Sequence, residues 1–114
     1  MDSFQYRSPE EYNNKALDEK VDIFSFGNNI YALLTGLWPF YDTNSNDEVQ
    51  EKIRNGELPF VDPRFQQQSY GEKKLVEILQ RCWIYDPSKR ADIFEIVQLL
   101  QDTLRNIENH IDKN

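Results

Sequence analysis

KVDIFSFGNNIYALLTGLWPF, residues 20–40, is the most apolar stretch of an otherwise polar chain. Val21, Ile23, Phe24, Phe26, Ile30, Tyr31, Leu33, Leu34 and Leu37 point to more than one side of a helix with 3.6 residues per turn. A helix that is apolar nearly all round is enclosed by its neighbours. This one is too short, and too interrupted by Asp22, Asn28 and Asn29, to cross a bilayer. Gly36 supplies a left-handed stop and Pro39 forbids continuation. The expected fold is all-α, with the other segments packed round this central buried helix. Asp22 stands at its start, where a carboxylate meets the positive end of the helix dipole. It either caps its own helix or, if buried, accepts hydrogen bonds from elsewhere.

With 114 residues the chain suits one domain with a core of its own. Its net charge of −7 disfavours nucleic-acid binding, which needs a basic surface, and contact with anionic membranes. The single cysteine, Cys82, lies among apolar residues and reads as a small core residue of a reduced compartment. No charged, apolar and small-residue leader opens the sequence. A cytoplasmic location is the expectation.

Working outward, Ser8-Pro9-Glu10-Glu11 has the form of a helix start. Ser8 is placed to cap the Glu11 amide, Glu11 to reach back, and Pro9 to occupy the first helical position. A short helix to about Asn14 follows, then a polar connection. On the far side, Asn46 or Asp47 is expected to cap a helix through Val49 and Ile53 that Gly56 stops. Residues 57–68, with Pro59, Pro63 and three glutamines, read as an irregular connection packed by Phe60 and Phe65. Ser69 and Glu72 have capping-box spacing ahead of a helix to about Ile84. Its apolar face is Leu75, Val76, Leu79, Cys82 and Trp83. Asp86-Pro87 breaks it. Asp92 then caps a last helix, with Ile93, Ile96, Val97, Leu100, Leu104, Ile107 and Ile111 as its stripe. Residues 106–114 are expected to fray. The sum is about five helices and no strand.

Catalytic groups are scarce. Gly27, Gly36, Gly56 and Gly71 are scattered, so no Gly-rich loop is present to cradle phosphate. One cysteine and one histidine, His110 in the tail, make neither a zinc site nor a nucleophile pair. The acidic pairs Glu10-Glu11 and Asp18-Glu19 read as helix-start charges. No catalytic, cofactor-binding or metal residue is assigned.

Three segments together resemble the C-terminal part of the large lobe of a eukaryotic protein-kinase catalytic domain. Ser8-Pro9-Glu10 is similar to the A-P-E motif, with serine for alanine. DIFSFG (22–27) followed by LLTGLWPF (33–40) is similar to the family's central-helix pattern. Arg81-Cys82-Trp83 with Asp86-Pro87 and Arg90 resembles the C-W-x-x-D-P-x-x-R-P pattern of tyrosine-kinase-like members. Ala91 for the final proline, and Tyr31-Ala32 for the common bulky-residue–Glu pair, mark a divergent branch. The resemblance implies a buried Glu10–Arg90 ion pair, packing positions for Trp83 and Pro39-Phe40, structural-motif positions for Gly27 and Asp86, and an Asp22 similar to the family aspartate that hydrogen-bonds the catalytic-loop backbone. It places Tyr6, Arg7 and Ser8 at the end of the segment that contacts substrate.

The family's function is ATP-dependent phosphorylation of proteins, with ATP and Mg as cofactors. Its Gly-rich loop, strand lysine, catalytic-loop aspartate and asparagine and D-F-G aspartate all precede A-P-E, and only seven residues stand before Ser8 here. The expectation is therefore a partial kinase domain spanning 1–114, inactive alone and without cofactors of its own. The alternative is a stand-alone helical interaction module or pseudokinase remnant, binding protein or peptide through an exposed face.

Overall fold

The computed structural model describes residues 7–13 and 18–112, with side chains through position 109. Among them are five α-helices, α1 (Pro9–Tyr12), α2 (Lys20–Thr35), α3 (Asn46–Arg54), α4 (Tyr70–Cys82) and α5 (Ile93–Asp112), and no strand. The 57–68 connection is not wholly irregular. Asp62 accepts from the Arg64 amide and starts a short 3-10 helix over Pro63–Gln66.

Local chemistry sets most of the boundaries. α2 ends where Gly36 takes φ 74° and its N–H returns to the Ala32 carbonyl, the left-handed cap that a residue without Cβ adopts freely. Ser69 accepts from the Glu72 N–H, and Asp92 from the Glu95 N–H at 2.8 Å. α3 starts one residue earlier than its sequence suggests. Ser45, not Asn46 or Asp47, is the N-cap and accepts from the Glu48 N–H, since any of these short polar residues can serve. α4 stops at Cys82, with Trp83 as its C-cap, two residues before Ile84. α1 ends at Tyr12, with Asn13 its C-cap; Asn14 lies outside the described residues. α5 is helical through Asp112, across the polar residues where fraying is expected.

The main core joins α2, α4 and α5. Ile23, Phe24, Ile30 and Tyr31 of α2 meet Ile78, Leu79 and Cys82 of α4, with Trp83, Ala91 and Ile96 closing it. Gly27 lets the two helices touch. A Cβ there would lie 2.7 Å from the Cys82 Cβ and 3.0 Å from the Trp83 ring. A smaller cluster of Tyr12, Phe40, Val49 and Ile53 ties α1 to α3.

Two expectations of burial fail for one reason. α2 is not enclosed all round: Leu33 is 86% exposed and Phe26 is also exposed, as is Leu37 just past its end. On α5, Ile96 is buried and Leu99 and Leu100 pack on the core, while Ile93, Val97 and Leu104 face outward. Helical spacing groups apolar residues on a face, but the described residues contain no element to lay over these faces. Phe60 is likewise exposed rather than packing its connection, and Phe65 is half-buried.

Candidate functional site

The most developed polar construction is built on Arg90. The Asp86-Pro87 turn prepares it: the Asp86 carboxylate accepts from the Ser88 N–H and hydroxyl at 3.0 and 2.8 Å, and the Arg90 N–H returns to the Asp86 carbonyl. The guanidinium then points inward. Nη1 and Nη2 donate to the two Glu10 carboxylate oxygens at 2.7 and 2.9 Å. The remaining donors go to the carbonyls of Lys20, Ile84 and Tyr85 at 2.7, 2.8 and 3.0 Å. All five N–H groups of the fork are used. The Phe24 ring lies 5.0 Å beneath it, and both partners of the pair are buried. This is the Glu10–Arg90 ion pair that the motif resemblance implies.

Lys20 completes the joint, and sequence reasoning missed it. Its Nζ donates to the carbonyls of Arg90 and Pro87 at 2.7 and 3.2 Å, while its own carbonyl accepts from Arg90. The start of α2 is thereby locked to the turn before α5. A lysine opening an apolar helix was the one available signal, and it does not name a partner.

Around α1 the capping box is half made. Ser8 and Glu11 are arranged as its two ends, and the Glu11 carboxylate accepts from the Ser8 N–H at 3.2 Å. The Glu11 N–H, however, goes to the Ser8 carbonyl oxygen. The Ser8 hydroxyl, fully buried, has no hydrogen-bond partner. Burial pushes the Glu11 carboxyl above its usual range against the opposing pull of that Ser8 bond, with the neighbouring Glu10 and Asp22 charges adding to the rise.

Of the three residues with a substrate-contact resemblance, Arg7 is exposed, its guanidinium 6.0 Å from the Tyr12 ring centroid. Ser8 is enclosed and offers no side-chain surface. Tyr6 lies outside the described residues. Asp22 sits in the first turn of α2, exposed to solvent, so it makes no buried hydrogen bond here.

Asn28 is a second residue whose role was not legible. Its Oδ1 accepts from the Trp83 Nε1 at 2.8 Å, which fixes the amide orientation because the indole only donates. Its buried Nδ2 is left without a partner. Trp83 also stands 5.6 Å from the Tyr31 ring. Cys82 is wholly buried and burial pushes its thiol up to about 12, which suits a packing residue rather than a nucleophile. The side chain of His110 lies outside the described residues.

The described residues do not assemble a site for a nucleotide or its metal. Among the described residues no group of three His, Cys, Asp or Glu is placed to hold a cation. Gly27 packs on Trp83 and Gly71 on Ile107, and Gly36 and Gly56 have positive φ at helix ends. None stands in a loop that could wrap phosphate. No helix among the described residues is long and apolar enough to cross a membrane.

Comparison with known proteins agrees with the joint and the fold. The protein kinase domain family model matches residues 1–101. The serine/threonine-protein kinase STY17 of Arabidopsis thaliana is 27% identical over 98% of this chain and 19% of its own length. The serine/threonine/tyrosine-protein kinase HT1 of the same plant is 31% identical over 89% of this chain and 24% of its own. Among solved structures, the twitchin kinase region from C. elegans superposes with a TM-score of 0.68 at 26% identity, covering 82% of this chain and 16% of that one. The chain spans about a fifth of the length of these curated relatives. With its motifs in order, its all-helical architecture and the Glu10–Arg90 joint in place, the chain belongs to the protein kinase domain family and represents part of that domain's helical lobe.

Proposed function

We propose that these helices are the scaffold half of a kinase that phosphorylates proteins with ATP. They seat the polypeptide carrying the nucleotide and catalytic groups, anchor the end of the activation segment through Glu10 and Arg90, and transfer no phosphate alone. The observation that carries this reading is the open side of α2. Asp22, Phe26 and Leu33 follow one another along it at helical spacing, with Phe26 and Leu33 exposed, and Leu37, also exposed, stands just past the helix end. An apolar line of this kind calls for a covering chain. At its head Asp22 offers a carboxylate for backbone N–H groups, the job of the matching aspartate in the family. ATP and Mg would be held by residues outside those described, Arg7 would stand near the substrate, and the site of action is the cytoplasm. The acidic surface argues for protein rather than nucleic-acid partners.

The test is phosphate transfer. The chain with Mg-ATP and casein gives none above buffer, and fusion to a segment carrying the missing kinase motifs restores it. Transfer by the chain alone overturns the reading. The same open line favours a second reading, a free-standing interaction module. A monomer that binds no hydrophobic dye argues against that one.

A further inference from the structure

We propose that α5 is one strand of a two-stranded coiled coil whose other strand is α5 of a second copy of this chain. The proposal goes beyond the scaffold reading. It uses a different face from the open side of α2 and does not need the chain to take part in phosphoryl transfer.

Ile93, Val97, Leu100, Leu104, Ile107 and Ile111 follow one another at intervals of four, three, four, three and four residues. That is the alternation of the two inward positions of a heptad. A straight helix drifts by about 20° per heptad against such a repeat, so the line stays in register only against a second helix that supercoils with it. The same spacing can serve a core, but the core explains little of it here. Ile93, Val97 and Leu104 are 52%, 43% and 58% exposed, and Leu100 and Ile107 are half-buried. The core is met instead by Ile96, with Leu99 and Leu100 packed beside it. Phe94, 82% exposed, widens the open line at its start.

The strand is presented ready made. Arg81 donates to Glu95 at 3.0 Å near the start of α5, and Asn106 donates to the Tyr70 hydroxyl at 2.9 Å farther along, so α4 holds it at two separated points. It stays helical through Asp112, which gives the seam a length of about 27 Å. A coil this short is weak between free peptides, because each must first fold into a helix. A strand already fixed to its lobe loses little entropy on pairing.

Charge decides between a like and an unlike partner. A chain of net charge −7 associates with itself only where the touching faces are close to neutral. The heptad positions beside the seam are Phe94, Ile96, Gln101, Thr103, Glu108 and His110, with one carboxylate among them. Glu95 and Asp102 stand on the other side of the helix and are paired with Arg81 and Arg105. Flanking charges are what direct a coiled coil to a foreign strand, and these flanks supply almost none. A second copy brings the same repeat by construction, and a twofold axis through the seam sets the two lines of knobs against each other.

The test is sedimentation equilibrium of the 114-residue chain over a concentration series, with far-ultraviolet circular dichroism to check that each variant keeps its helices. The chain is expected to form a reversible dimer at high micromolar concentration. Leu104→Glu and Val97→Glu, both at exposed positions, are each expected to weaken it by about tenfold or more while helix content is kept. Two variants are used so that a failure of one to fold leaves the other to decide. Leu33→Glu, on the open side of α2, is expected to leave the dimer unchanged. A monomer at every concentration overturns the proposal, and so does assembly that runs past the dimer. Loss of the dimer in Leu33→Glu but not in Leu104→Glu also overturns it, because the copies then meet through α2. None of these results touches the scaffold reading, which stands or falls on phosphate transfer.

Discussion

The joint at Arg90 and the open side of α2 begin within a few residues of each other, and they invert the usual rule of polar outside and apolar inside. At the joint, two full charges are buried with every guanidinium N–H satisfied. On the open side, Leu33 stands 86% exposed. The contrast shows that burial follows from what lies opposite a residue. Arg90 finds Glu10 and three carbonyls within the described chain, whereas Leu33 finds no covering element.

The largest effect should come from breaking the joint. Arg90→Ala leaves the Glu10 carboxylate buried and three carbonyls without their donor, a loss of about 3–5 kcal/mol. Glu10→Ala should cost less, since the carbonyl partners of Arg90 remain. The double variant should cost far less than the sum. Urea unfolding of the four proteins measures the cycle. Additive losses would mean that the two side chains do not act as a pair, and the comparison would fail.

Next comes the contact that holds the core beneath the joint. Gly27→Ala gains about 1 kcal/mol of helix propensity. It also forces a methyl to within 2.7 Å of the Cys82 Cβ, between two helix backbones that have no flexible end to yield. Overpacking of this kind costs about 1–3 kcal/mol, so the net is a loss, read as a lower urea midpoint. A gain would show that α2 and α4 are less tightly joined than their geometry requires.

Much of this was legible before any coordinates. The Glu10–Arg90 pair spans 80 residues and was reached through the order of three motifs, not through local pattern. Asp92 and Ser69 were readable as caps because a cap and its third following residue lie in one short stretch. What escaped was set by groups distant in sequence or by competition. Lys20 and Asn28 take partners 70 and 55 residues away, with no spacing to announce them. Ser8 has the right spacing but lost its donor to its own backbone carbonyl. The stripe on α5 and the apolar ring of α2 were correctly grouped, but periodicity cannot say how many neighbours arrive to cover them.

A smaller effect of opposite sign should come from Ser8. Its hydroxyl is buried without a partner, so it bears a desolvation penalty with no hydrogen bond in return. Ser8→Ala should stabilise the fold by about 1 kcal/mol. The usual penalty for deleting an N-cap does not apply, since this hydroxyl caps nothing. Glu11, beside it, sharpens the point through pH. Its folded pKa is raised, so its contribution is fully present below the unfolded value of 4.5 and is lost as pH rises through the folded value. Glu11→Gln should flatten that part of the stability–pH curve, and an unchanged curve would place the dependence elsewhere.

The smallest effect belongs to the open side. Leu33→Ser removes a side chain that touches little, and the unfolding free energy from urea titration should change by less than about 0.5 kcal/mol. Binding of a hydrophobic dye should nonetheless fall, because Leu33 is the most exposed large apolar residue of α2. The two readouts separate a surface awaiting a cover from a core position. A stability loss as large as that of Gly27→Ala would mean that Leu33 is already covered, by a second copy or by residues outside those described. The contrast between a closed polar joint and an open apolar side would then collapse. A stable variant with reduced dye binding would instead locate the seat for the rest of the kinase on this line of α2.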